Sequence, residues 1–458
     1  MVFLLLAGWH LSVTVIEQIS TSYREHSRCQ QYREERRVEN PYWPFAPVRS
    51  LSLQQVPSEA ARVGSAPCAF HEELERFSGV RQSYRFFHLS AGVSVLSMTT
   101  RFWSVWAAIV ALLGLLSATS ARNWRNSGTG AIALEEAWTV PELVNLITAT
   151  PPPGQPFDEF KASFLDVHGR RLDLMNQNNI DFMVLSCATP CIQGISDPAT
   201  AAEMAVNVNN QLAAAISNNT ARFGGFASLA MHDAIEAAQE LRRAVNDLGF
   251  QGALLNDYQQ SGPDNTTLLF YDQPEYDVFW QAVTELDVPI YFHPRPNIAQ
   301  IETLMYAHAP FIEGPSEEYA VTLANHILGL CTNGVFDRFP TLKIIVGHLG
   351  ERLPSDLFRI DEQLQRLKSK GLVMQRNVSS YWRTNLYETT SGNFATALLR
   401  FHIDEIGLDR IMYSVDYPFV PIPEGEAWVL SLSQVLSPKD LNSLKRGVAI
   451  KLLHLDDE

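Results

Sequence analysis

Cysteine is scarce in this chain, with five among 458 residues. Cys29 and Cys68 fall in the first 97 residues, which leaves Cys187, Cys191 and Cys331 for the remainder; that odd number permits one disulfide at most and excludes a disulfide-dense scaffold. Cys187 and Cys191 flank Ala-Thr-Pro without a matching His/Cys set, so they read as buried or loop thiols rather than a zinc site. Lysine and aspartate are missing altogether from residues 1–97, where ten Arg stand against nine Glu. That segment is therefore about +1 of a formal −15, and the remainder, at about −16, has no strongly basic surface for nucleic acid. Also lacking are a convincing glycine-rich phosphate loop, a Gly-X-Ser-X-Gly elbow and any internal repeat.

What is present suits one large domain with an N-terminal appendage: 46% of residues are apolar and 19% charged. Residues 102–121 are 20 uncharged, mostly apolar positions that follow Arg101 and end in Ser117-Ala118-Thr119-Ser120-Ala121. Taken from Met98, this is the grammar of a secretory signal peptide. The same length also spans a bilayer as a membrane anchor, and a buried helix is the third reading. The expectation is a signal peptide or anchor over 98–121, with Met98 as the true initiator and residues 1–97 a poorly structured leader or gene-model extension. The product would be secreted or in the secretory pathway, membrane-anchored if uncleaved, or cytoplasmic if the segment is unused. Sequons at Asn218, Asn265 and Asn377 are open to glycosylation on the secretory route.

From residue 122 onward, short β-rich runs alternate with longer amphipathic stretches. Strand candidates are 130–134, 181–186, 223–230, 252–255, 288–292, 343–346, 385–389 and 410–415. Helix-like segments include 160–178, 201–216, 233–248, 317–330 and 357–368, with Asp197-Pro198 and Ser355 as N-terminal signals. Eight consecutive β/α units over 122–458 predict a (β/α)8 TIM barrel; a doubly wound sheet is the alternative.

Four of these runs end in residues suited to chemistry. Glu135-Glu136 closes the first, His293-Pro294 follows the fifth, Gly347-His348-Leu349-Gly350-Glu351 the sixth, and Ser414-Val415-Asp416-Tyr417-Pro418-Phe419 includes the end of the last. In a barrel those ends converge on one mouth, so carboxylates and an imidazole there can form an open metal site. His348 and Glu351, three apart, come onto one side of a helical turn, which makes His348 a proton relay or substrate-oxygen donor oriented by Glu351. His232, after another strand, is equally a structural histidine, and His168, His308, His326, His402 and His454 have no supporting constellation. Phe419, Trp138, Asn256 and, more weakly, Arg295 as a carboxylate clamp are the candidate substrate-binding residues; core or capping roles compete at each.

Ala133-Leu-Glu-Glu-Ala137, Leu255-Asn-Asp257, His293-Pro-Arg295, Thr332-Asn-Gly-Val-Phe-Asp-Arg338 and the two motifs around His348 and Asp416 resemble the amidohydrolase-2 branch of the amidohydrolase superfamily. Within it the resemblance is strongest to the 2,3-dihydroxybenzoate and γ-resorcylate decarboxylases, and it runs from about residue 130 to 451. It implies one divalent metal ion on Glu135, His293 and Asp416, a small aromatic carboxylic acid substrate, and a homodimer or homotetramer. The γ-resorcylate enzymes keep a His two residues after the ligand Glu; Ala137 stands here, as in the 2,3-dihydroxybenzoate type. One nitrogen among several oxygens favours manganese or magnesium, with zinc as the alternative.

The expected activity is reversible, non-oxidative decarboxylation of a hydroxybenzoate-type acid, with Asp416 as the acid that protonates the ring carbon bearing the carboxylate. Hydrolysis of an ester, lactone or amide by a metal-activated water is the competing reading, and a catalytically degenerate binding protein the third.

Overall fold

The computed structural model describes residues 128–456, so the expectations for 1–97 and 98–121 lie outside the described residues. Ten strands are present in the described part: β1 (Ala131–Trp138), β2 (Ile180–Cys187), β3 (Phe223–Gly225), β4 (Ala253–Asn256), β5 (Gln259–Ser261), β6 (Thr267–Leu269), β7 (Ile290–His293), β8 (Ile344–Val346), β9 (Leu386–Thr389) and β10 (Ile411–Met412). β5 and β6 form a separate antiparallel hairpin that is not among the eight expected strands. The other eight run parallel: β1-β2-β3 form one arc and β4-β7-β8-β9-β10 the other.

Two seams close the arcs into a barrel. The Ala227–Ala253 bridge joins the segment after β3 to β4. On the other side Ala137 N donates to Tyr417 O and Asp416 N to Glu135 O, joining β1 to the segment after β10. This is the TIM-barrel arrangement.

Alternation along the strands sorts the core. Ile132, Leu134, Phe182, Val184, Phe226, Leu254, Tyr291, Ile345 and Met412 fill the barrel interior, where Val448, Ala449, Leu452, Leu453 and Leu455 join them. The opposite faces pack on a larger apolar layer shared with the surrounding helices.

The outer helices include α1 (Phe157–Leu165), α2 (Arg170–Gln177), α3 (Pro198–Ile216), α4 (Ala234–Asn246), α5 (Asp277–Leu286), α6 (Glu318–Thr332), α7 (Leu357–Gln365), α8 (Val378–Thr384) and α9 (Thr396–Ile406). Asp197 caps α3 by accepting from Thr200 N, and Pro198 suits the first turn, where no N–H partner is needed. Ser355 does not cap α7; its hydroxyl faces His402 instead. The single helix expected over 160–178 is two, because Asp166 accepts from Gly169 N and Arg171 N and turns the chain between them. Cys187 and Cys191 are joined in a disulfide rather than free, their Cα atoms 5.9 Å apart, while Cys331 is a buried thiol.

Candidate metal centre and active site

Alternation and one irregularity aim the site residues. Tyr291 and His293 share the inward face of β7. In β1 the pairing with β2 shifts between Ala133 and Glu136, and the amides of Leu134 and Glu135 both donate to Ser414 Oγ. Such a bulge breaks the alternation and re-aims a side chain. Consequently β1 does not end at the acidic pair but continues to Trp138, with Glu135 turned into the mouth and Glu136 bonded to the segment after β10.

Glu135, His293, His348 and Asp416 meet there, with their potential ligand atoms all within 4.8 Å of one another. The Nε2 atoms of His293 and His348 stand 3.3 and 3.2 Å from Glu135 Oε1, and Asp416 Oδ2 is 3.7 Å from His348 Nε2. Glu135 Oε1 is buried and accepts no hydrogen bond. Two imidazole nitrogens and a second carboxylate converging on that oxygen are a donor set that fits a divalent cation.

The other oxygen of Glu135 is caged by hydroxyls. Oε2 accepts from Tyr291, from Ser391 at 2.5 Å and from Thr389 at 3.4 Å, and Tyr291 also meets Thr389 at 2.5 Å. The cage has no signature in the sequence beyond the shared parity of Tyr291 and His293, which points to its first member. His293 Nδ1 lies 2.6 Å from Pro294 O, which leaves Nε2 to face the site.

His348 and Glu351 do pair, Nδ1 to Oε1 at 2.6 Å. The turn that joins them is not the right-handed one expected: His348, Leu349, Gly350, Glu351 and Arg352 all have φ between 47° and 67°. Asp416 is also left-handed, with φ of 74°.

Electrostatics separates the neighbouring acids. For Glu135 burial pushes the pKa up, but His348 and His293 outweigh it and hold the carboxylate below its ordinary range. Glu136 is pushed up to about 8 by burial, against the pull of the Val415 and Tyr417 amides and Arg171. Asp416 is raised to about 6, by burial first and by Glu135, against the opposing hydrogen bond from His348. His348 lies well above its usual value: burial opposes its charge, yet Glu135, Glu351 and Asp416 favour it more. The cluster thus demands positive charge, which a cation would also supply.

The remaining candidates divide. A small cavity beside the cluster is lined by Ala137, Ser186, Cys187, Thr189, Asn256 and Phe419, together with Glu135, His293 and Asp416. Asn256 Oδ1 has no partner there, and Phe419 packs edge-on against Phe164 of α1 at 5.2 Å. Trp138 instead lies in the apolar layer between barrel and helices. Arg295 is no free clamp: its guanidinium donates to the carbonyls of Gln193, Tyr258 and Pro296 and to Gln260 Oε1, and stacks over Tyr258. His232 is bonded to Ser196 O outside the cavity. His326 and His402, unremarkable in sequence, each pair with a buried carboxylate, Asp257 and Glu388.

The chain is similar to known proteins over most of its described residues. The amidohydrolase family profile matches residues 166–455. The γ-resorcylate decarboxylase of Rhodococcus jostii is 39% identical over 330 residues, covering 71% of this chain and 99% of that protein. The crystal structure of 2,6-dihydroxybenzoate decarboxylase from Rhizobium superposes with a TM-score of 0.67 at 39% identity, covering 71% of this chain and 99% of that one. A dihydroxybenzoic acid decarboxylase from Polaromonas, solved with manganese and the inhibitor 2-nitroresorcinol, gives 0.67 at 36% identity, with 72% and 98% covered. Matched over most of its barrel by the family profile and along nearly the whole length of these relatives, the chain belongs to the amidohydrolase family.

Proposed function

We propose that this chain is a metal-dependent, non-oxidative decarboxylase of hydroxybenzoate-type acids. The observation that carries the reading is the buried Oε1 of Glu135, which accepts no hydrogen bond and faces His293, His348 and Asp416 beside a cavity lined by Asn256 and Phe419. The decarboxylase relatives and the manganese in one of them support it.

Glu135, His293 and Asp416 would hold the ion, manganese or magnesium before zinc, and when bound it neutralises the carboxylate and the ortho-phenolate of the substrate. Asp416 gives its proton to the ring carbon bearing the carboxylate. The bond to the carboxylate carbon then breaks, its electron pair returns to the ring, and carbon dioxide leaves. A carboxyl raised to about 6 by burial keeps its proton to higher pH than an exposed aspartate, and the ion would pull that value back down. His348, 3.7 Å away, returns the proton to Asp416, and Glu351 fixes its ring through Nδ1. Phe419 covers one face of the ring. Asn256 Oδ1 accepts from a ring hydroxyl, and the methyl of Ala137 leaves room where an imidazole would stand, which suits 2,3-dihydroxybenzoate-like acids.

The deciding assay offers manganese-loaded protein a panel of hydroxybenzoates and aryl esters. Carbon dioxide should be released from acids with an ortho-hydroxyl and not from the analogue lacking it, which cannot chelate. Ester hydrolysis without carbon dioxide release would sink the proposal in favour of a hydrolase.

Homo-oligomerisation is also proposed: Phe311, Leu304 and Phe358 are exposed by 96%, 85% and 81%, apolar surface that a second copy would cover. A single-chain mass by light scattering would overturn it.

A further inference from the structure

His348 and Glu351 sit in backbone that L-residues avoid. Four of the five residues from His348 to Arg352 carry a Cβ, and each such left-handed residue costs about 1–2 kcal/mol. The surroundings must hold that turn. Asn393 Nδ2 donates to His348 O at 3.1 Å, Leu349 is fully buried, and Arg352 bonds Glu317 and Ser316 O.

Beneath the turn lies a chain of three side chains. Both oxygens of Glu388, on the outward face of β9, lie 2.9 and 3.0 Å from His402 Nδ1 on α9, and His402 Nε2 meets Ser355 Oγ at 3.1 Å. At one end Glu388 abuts the turn: a Cβ on Gly350 would fall 2.8 Å from Glu388 Oε2 and 2.7 Å from both Pro354 Cδ and Trp382 Cη2. At the other, Ser355 belongs to the single turn that follows Arg352, and Ser355 N donates to Arg352 O. Glu388 is followed by Thr389, a member of the hydroxyl cage on Glu135.

The order hydroxyl, imidazole, carboxylate is that of a serine nucleophile with its base. His402, however, is completely enclosed, so its Nε2 has no path to a leaving group. The chain connects rather than reacts.

We propose that Glu388, His402 and Ser355 are positioning residues that clamp the left-handed turn 348–352, and through it set His348 and Glu351 for proton transfer to Asp416. The catalytic part rests on the functional reading above; the clamping part does not.

The test compares Ser355→Ala, Ser355→Thr and His402→Gln with a control, Leu399→Ala, which empties a fully buried site on the same helix and removes none of the three bonded side chains. Ser355→Ala, at an exposed position, keeps the test open should His402→Gln fail to fold. Losses of about 10-fold in kcat are expected for Ser355→Ala and His402→Gln, the usual scale for residues that orient a catalytic group, with KM and manganese content unchanged and with activity restored in Ser355→Thr. Amide exchange in the 347–356 peptide should quicken in the same two variants and not in the control. Unchanged exchange in them, or an equal kcat loss in Leu399→Ala, overturns the proposal. If wild type decarboxylates nothing, the functional reading falls, and exchange alone decides whether the clamp exists.

Discussion

At the scale of single residues, Glu135 has two oxygens in opposite situations: Oε2 is saturated by three hydroxyls, while Oε1 has two imidazoles near it and no hydrogen bond. The cage fixes the carboxylate so that its free oxygen is presented without rearrangement, as residues behind a metal ligand commonly do. Tyr291→Phe should therefore weaken manganese binding about 10- to 100-fold, by analogy with such residues, and metal titration of the purified variant checks this. His293→Ala removes a proposed ligand and should abolish metal retention, whereas His348→Ala should keep most of the metal and lose turnover. Equal metal loss in the two would make His348 a ligand, a role its 3.2 Å approach to Glu135 also permits. Glu351→Gln should retain metal and lose about 10- to 100-fold in turnover, since it weakens only the orientation of His348.

At the scale of elements, the seam between β1 and the segment after β10 is held by a buried acid. Glu136 accepts from Val415 N, Tyr417 N and Ser414 Oγ, and Arg171, fully buried, reaches across to Ala137 O and Ser163 O. Its folded pKa of about 8 exceeds the ordinary 4.5, so its effect on stability is fully present below 4.5 and is lost as pH rises toward 8, by at most on the order of 5 kcal/mol. His348, also raised, has the same sign. Thermal unfolding of the metal-free protein should thus occur at lower temperature at pH 8.5 than at pH 6, and a flat profile would refute the assignment. Glu136→Gln removes the titrating group and should flatten that part of the pH profile. The same seam shows what sequence can and cannot convey. Eight strand positions and the identity of Glu135, His293, His348 and Asp416 follow from β-rich runs ending in chemistry-bearing residues. The bulge in β1 does not, because a charged pair after Leu134 looks like a strand end when the partner that buries it lies 279 residues away. Nor does the left-handed turn, since only Gly350 among its five residues favours that backbone. Arg295 misleads for a related reason: its donors go to carbonyls that become neighbours only when the barrel closes.

At the scale of the whole molecule, the barrel is complete within the described residues. Its first strand pairs with β2 on one side and bonds the segment after β10 on the other, and Leu452, Leu453 and Leu455 join the apolar interior from the C-terminal end. A chain beginning at Arg122 therefore contains every barrel strand of the described residues and the clustered Glu135, His293, His348 and Asp416, and it should bind one manganese per chain with undiminished decarboxylation. Within it, Leu452→Ala should lower the unfolding temperature, because emptying a buried leucine site costs about 2–5 kcal/mol. Expression from Met98 in a secreting host tests the segment before it. A product starting near Ala121 or Arg122 in the medium is expected if 98–121 is a cleaved signal peptide, since small residues precede that point. Recovery of the intact chain in washed membranes would establish an anchor instead, and soluble intact protein inside the cell would overturn both; neither result touches the barrel, whose metal content and turnover are measured on the shorter chain.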